Sequence, residues 1–145
     1  MRNEKIVESG RRPDFIFIYK SGTHKINLLY ASFVVEILIA DVSDKNHLGK
    51  LVLYNEEVLN SNPRRPFIIS VLTNLNDLVL VKSEPGPDKD GNFTGEIIHR
   101  ISKSMNFWSK GLKYIKQMHD NPETVGYDET YNFSIKISRG YLFRF

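Results

Sequence analysis

The chain contains no cysteine and a single tryptophan. Without thiols there is no disulfide framework, no thiolate zinc site and no cysteine nucleophile. The same absence suits a reducing intracellular compartment, cytoplasm or nucleus. Long apolar runs are missing too. The longest, Phe33 to Ala40, is broken by Glu36 and falls far short of the roughly 20 residues a membrane helix needs. Met1 to Arg12 carries six charged side chains and no apolar core, so it does not read as a signal peptide. Neither sign of charge dominates. Twenty Lys and Arg against 17 Asp and Glu leave +3 over 145 residues, too small a balance to argue for nucleic-acid binding alone. What remains is one compact soluble domain. Its 41% hydrophobic and 26% charged residues are too apolar for disorder.

Along the chain the hydrophobic period changes several times. Phe15-Ile-Phe-Ile-Tyr19, behind Pro13, is an aromatic and β-branched run that predicts a strand. Lys20 to Thr23 supplies turn chemistry. Phe33 to Ile39 predicts a second strand, apolar on both faces except at Glu36, as expected of a central strand covered on both sides. Leu48, Leu51, Val52, Val58 and Leu59 then recur at helical spacing, with Ser43 or Asp44 as N-cap and Asn60-Ser-Asn-Pro63 as the stop. Pro66 to Leu72 and Leu78 to Val81 predict a strand pair, Lys82 to Asn92 a loop, and Glu96 to Ile101 an edge strand. Met105 to Asp120 predicts an amphipathic helix with Trp108 and Met105 in its core face and Lys110, Lys113 and Lys116 on its other sides. Asp128 to Phe145 alternates weakly. The fold class is α/β: a small mixed sheet flanked by helices, with strand–helix–strand around Glu36 as a crossover unit.

Glu36 stands out chemically. A carboxylate in an apolar strand is costly unless something compensates it. Arg12-Pro-Asp14 opens the preceding strand, so two carboxylates on adjacent strands form a hard, oxygen-rich pocket. Mg²⁺ takes such a pocket with one or two carboxylates, water and phosphate oxygens, and then activates water and stabilises charge on a phosphodiester. Plainer readings stand beside this one. Asp14 also suits a turn after proline, and Glu36 a salt bridge to a lysine or arginine.

Pro13-Asp14, an apolar strand, and then Val35-Glu36-Ile37-Leu38 resemble the PD-(D/E)xK superfamily, the restriction-endonuclease-like fold. Gly49 to Tyr54, Arg64 to Thr73, Leu78 to Val81 and Gly111 to Gly126 are similar to the helix, strand pair and closing helix of nuclease-like domains in crinkler-type effectors and kinase-associated fungal proteins. The resemblance spans 11–127. It implies that 128–145 begins a following kinase-like domain. It also implies a Mg²⁺-dependent endonuclease acting on DNA, with Asp14 and Glu36 as metal ligands and Glu4 or Glu8 as an upstream acid. The sequence departs from the motif where Leu38 stands in place of the catalytic lysine, and residues i and i+2 of a strand share a face. The resemblance then assigns the lysine role to Lys50, with Lys45 second. The alternative is an inactive nuclease-like module that binds nucleic acid or protein.

Arg64, Arg65, Lys110 and Lys113 are the candidate nucleic-acid contacts, with a solvated charged surface as the plainer reading. Among His24, His47, His99 and His119 no pair has metal-ligand spacing, although His47 is close enough in sequence to reach the Glu36 pocket. No G-x-S-x-G, P-loop or dinucleotide fingerprint appears.

Overall fold

The computed structural model describes residues 13–18, 31–86 and 96–128. Tyr19, the turn at Lys20 to Thr23, Glu4, Glu8, His24 and the segment 129–145 lie outside the described residues. The elements run β1 (Phe15–Ile18), β2 (Ala31–Ile37), α1 (Lys45–Ser61), β3 (Ile68–Thr73), β4 (Asp77–Pro85), β5 (Ile97–Ile101) and β6 (Met105–Asn106). A π-helical turn (Phe107–Gly111), α2 (Leu112–Asp120) and a 3₁₀ turn (Pro122–Val125) follow.

These elements form an α/β fold on one open mixed sheet. Its strand order is β1-β2-β3-β4-β5, with β6 also paired to β4. The expected crossover is present: β2 and β3 are parallel, Val35 beside Val71 and Glu36 beside Leu72, and α1 connects them. All other pairings are antiparallel.

Strand alternation sends side chains to two cores. Val34, Leu38, Leu51, Tyr54, Leu72, Val79 and Val81 pack between the sheet and α1. Phe33, Val35, Val71 and Leu78 face the other way, against Met118, Val125 and Tyr127. Each fully buried aliphatic side chain contributes about 1.5–3 kcal/mol of burial, which explains why β2 can carry apolar residues on both faces. No helix among the described residues is long and apolar enough to cross a membrane.

Asp44 is the α1 N-cap, accepting from the backbone of Asn46 at 2.9 Å and His47 at 3.1 Å. The helix ends at Asn62, just before Pro63. Two expectations change. Lys82 to Pro85 is not loop but the continuation of β4, because both its neighbours pair with it and Ser83 is fully buried between them. Polar residues conceal that strand: Lys82, half-buried, sets its ammonium 4.6 Å from the Phe67 ring centre.

The second change concerns the last helix. Met105 and Asn106 pair with Leu78 and Asp77 instead of opening a helix. Asn106 then caps a π turn by accepting from Ser109 N at 3.1 Å. Gly111 allows this turn to sit close on the sheet, since a Cβ there would lie 3.0 Å from Asn106 O and 3.3 Å from Leu78 Cδ1. The reset of helical phase turns Trp108 outward, so the expected core residue is 66% exposed.

Candidate functional site

Antiparallel pairing sets Phe15 against Val35, so one step outward places Asp14 against Glu36. Two bonds tie Asp14 to Glu36 and to the residue after it. Asp14 Oδ2 accepts the Ile37 N–H at 2.7 Å, and the Asp14 N–H points at Glu36 Oε2 at 3.4 Å. Glu36 is only 5% exposed. Between Val34 and Leu38 it takes the α1 side of the sheet, where it lies at the base of a cleft of about 650 Å³. Lys45, Asn46, Gly49, Lys50 and Tyr54 of α1 form the facing wall.

The electrostatics follow from this placement. Burial raises the Glu36 pKa above its ordinary value, and the neighbouring Asp14 charge raises it further. The Asp14 N–H, the Lys50 ammonium and His47 act in the opposite direction without cancelling the rise. His47 itself is turned toward the helix cap, its Nδ1 3.1 Å from Asp44 Oδ1.

No known protein family, curated protein or solved structure matches the chain.

Glu36 lines the cleft with Lys50 and Lys45, and Asp14 stands beside Glu36 at the carboxyl end of β2. Leu38 is 4% exposed and packs with Val42, Leu51 and Tyr54. The position two residues after the glutamate thus serves the core. Arg64 and Arg65 lie beyond the other end of α1, which at 17 residues spans about 25 Å. Arg64 is exposed there.

Arg65 departs from the expected phosphate contact. It is 2% exposed, and its guanidinium donates to the carbonyls of Phe67, Ala31, Ser32 and Val125. Its five fixed donors suit a junction where several strand-end carbonyls converge. Lys110 and Lys113 are exposed on the α2 side of the sheet, away from the cleft.

A second polar cluster was invisible in the sequence because its members come from three elements. Asn55 Nδ2 donates to Ser83 Oγ at 3.0 Å and to Val81 O at 3.3 Å. Ser83 Oγ meets His99 Nδ1 at 2.6 Å, and His99 Nε2 meets Glu56 Oε1 at 2.9 Å. In the tautomer whose Nε2–H donates to Glu56, Nδ1 accepts the Ser83 hydroxyl. The composition resembles a serine hydrolase triad, but the ring nitrogens are exchanged relative to one and the hydroxyl is 0% exposed. The cluster fastens edge strand β5 to α1.

Proposed function

We propose that this chain is a PD-(D/E)xK-type, restriction-endonuclease-like domain that hydrolyses phosphodiester bonds of DNA with Mg²⁺ held by Asp14 and Glu36. The observation that carries this reading is a buried Glu36 at the base of an open cleft that Lys45 and Lys50 also line, with Asp14 bonded beside it on the neighbouring strand. The donor set fits the ion. Two hard carboxylates repel each other at a largely buried position, and a divalent cation removes that repulsion. No group of three His, Cys, Asp or Glu gathers among the described residues, so the remaining ligands would be water and phosphate oxygens. The bound ion would activate a water and offset charge on the phosphodiester.

The chain's own residues do the rest. The Ile37 N–H fixes Asp14 Oδ2 and leaves its other oxygen for a ligand. Lys50 brings positive charge to the side of the cleft opposite Glu36, which is the part the lysine plays in the PD-(D/E)xK motif. Lys45 and Asn46, both exposed, line the rim where a phosphate backbone enters.

The burial of Leu38 favours a second reading, an inactive nuclease-like module that binds nucleic acid. One assay separates them. The purified chain is incubated with plasmid DNA and Mg²⁺ or Mn²⁺. Cleavage that falls at least a hundredfold in Glu36→Ala supports the nuclease. Cleavage that persists in that variant overturns the site. Salt-dependent DNA binding without turnover selects the inactive module.

A further inference from the structure

Trp108 is the chain's sole tryptophan, and most of its ring stands in solvent. It is held there from several directions. The Phe107 N–H donates to Asn76 O at 2.9 Å, which ties the π turn to the β3–β4 turn. Asn106 caps Ser109 through both its N–H and its hydroxyl. The Phe107 ring meets the indole edge-on, with centroids 5.0 Å apart and planes at 88°. Leu112, one turn on, is 39% exposed. Leu75 is 44% exposed in the turn that receives Phe107. Leu75 has φ of +70°, a conformation that costs a branched side chain energy and is retained where a surrounding structure or function demands it. π turns recur at functional sites.

The charge along this segment is mainly of one sign, the neighbouring acid across the sheet being the exposed Asp77, which pairs with Asn106. Between Ile101 and His119 the chain carries Lys103, Lys110, Lys113 and Lys116 and no acidic residue. Lys116 pairs with Asp120 at 2.6 Å. Among the described residues no carboxylate comes within ion-pair distance of Lys103, Lys110 or Lys113, and Lys110 lies 5.8 Å from the Tyr114 ring centre. The helix's own apolar residues, Ile115 and Met118, are already packed on the sheet. The exposed apolar side chains left here, Trp108, Leu112 and Leu75, are few for insertion into a membrane or for the core of a protein interface. An exposed ring beside cations that have no carboxylate partner among the described residues suits single-stranded nucleic acid, with a base on the ring and phosphates on the cations.

We propose that Trp108 is a stacking platform for an unpaired base, with Lys103, Lys110 and Lys113 holding the adjacent backbone. This inference rests on the proposed function and narrows its substrate to nucleic acid with a single-stranded segment. The platform and the Glu36 cleft share one end of the sheet: Asn74 Nδ2 bonds Ala40 O at 3.1 Å beyond β2, while Asn76 O holds Phe107 in the same turn.

The sole tryptophan is its own reporter. The chain is titrated in EDTA with single-stranded oligothymidylate, oligouridylate, a duplex of equal length, inorganic polyphosphate and phosphatidylserine vesicles. Indole fluorescence is followed, together with the anisotropy of labelled oligonucleotides. The expected result is quenching by either single strand, with affinity falling as salt rises, and competition by polyphosphate without quenching. Trp108→Leu lowers single-strand affinity about tenfold, and Trp108→Phe restores part of it. The DNA and RNA arms show which backbone is preferred. Unchanged affinity in Trp108→Leu, equal quenching by duplex or polyphosphate, or a response to vesicles alone overturns the platform. Trp108-dependent binding that survives in a chain without cleavage activity retains the platform and removes the nuclease reading. Cleavage indifferent to Trp108→Leu, with unchanged binding, does the reverse.

Discussion

Asp14 is fastened beside Glu36: its N–H points at Glu36 Oε2 at 3.4 Å, and its carboxylate accepts the N–H of the next residue, Ile37, at 2.7 Å. Two acids that would repel in isolation are thus fixed side by side by the backbone pairing of β1 and β2. This costs stability when both are ionised.

The cost has a definite pH dependence. The folded-state pKa of Glu36 is raised, by burial first and by Asp14 second. The folded chain therefore binds a proton more tightly than the unfolded one, and its stability falls as pH rises from about 4.5 through the raised value. Glu36→Gln keeps an acceptor for the Asp14 N–H and removes the charge. It is expected to melt higher than wild type at pH 7, with the difference vanishing below pH 4.5. Mg²⁺ raises the wild-type melting temperature and leaves Glu36→Gln unmoved. A lower melting temperature for the variant at pH 7 would contradict this account of the pair.

Arg65 tests the opposite relationship, a buried cation whose neighbours need it. Arg65→Lys keeps the charge but loses the planar fork, and leaves some of the four carbonyls without a donor. Each unsatisfied buried group costs about 1–3 kcal/mol, so a loss of at least about 3 kcal/mol is expected by urea denaturation. Unchanged stability with weaker DNA binding would instead return Arg65 to the surface role its sequence suggested.

Gly49 lies inside α1 with nothing within 4 Å of where a Cβ would stand. Gly49→Ala is expected to stabilise the chain by about 0.5–1 kcal/mol, visible as a rise of about 3 °C on melting. A lower melting temperature would show that the helix wall of the cleft is more crowded than this.

The Ser83–His99–Glu56 chain is expected to act as a unit. In a double-mutant cycle, His99→Ala and Glu56→Ala should couple by about 1 kcal/mol, because each removes the same 2.9 Å contact. Strict additivity would mean the contact contributes nothing to holding β5.

These elements were legible to different degrees. The unit β2–α1–β3 follows from two buried apolar runs around one helical period; two carboxylates on adjacent strands were legible too, whereas the register that sets Asp14 beside Glu36 comes from the pairing of β1 with β2. The end of β4 was not legible, since Ser83 and Lys82 are polar and only pairing on both sides reveals the strand. Trp108 fits helical spacing perfectly well in one dimension; the π turn that rotates it outward depends on Asn106 and Gly111 meeting Leu78. Arg65 in sequence shows a charge and nothing of the four carbonyls that converge on it.

The central claim, that Asp14 and Glu36 form a divalent-cation site, is tested most directly by titrating Mn²⁺ into the chain in a calorimeter. One site per chain is expected, lost in Glu36→Gln and in Asp14→Asn while both variants remain folded. Equal Mn²⁺ binding by wild type and both variants, or none by wild type, would contradict it.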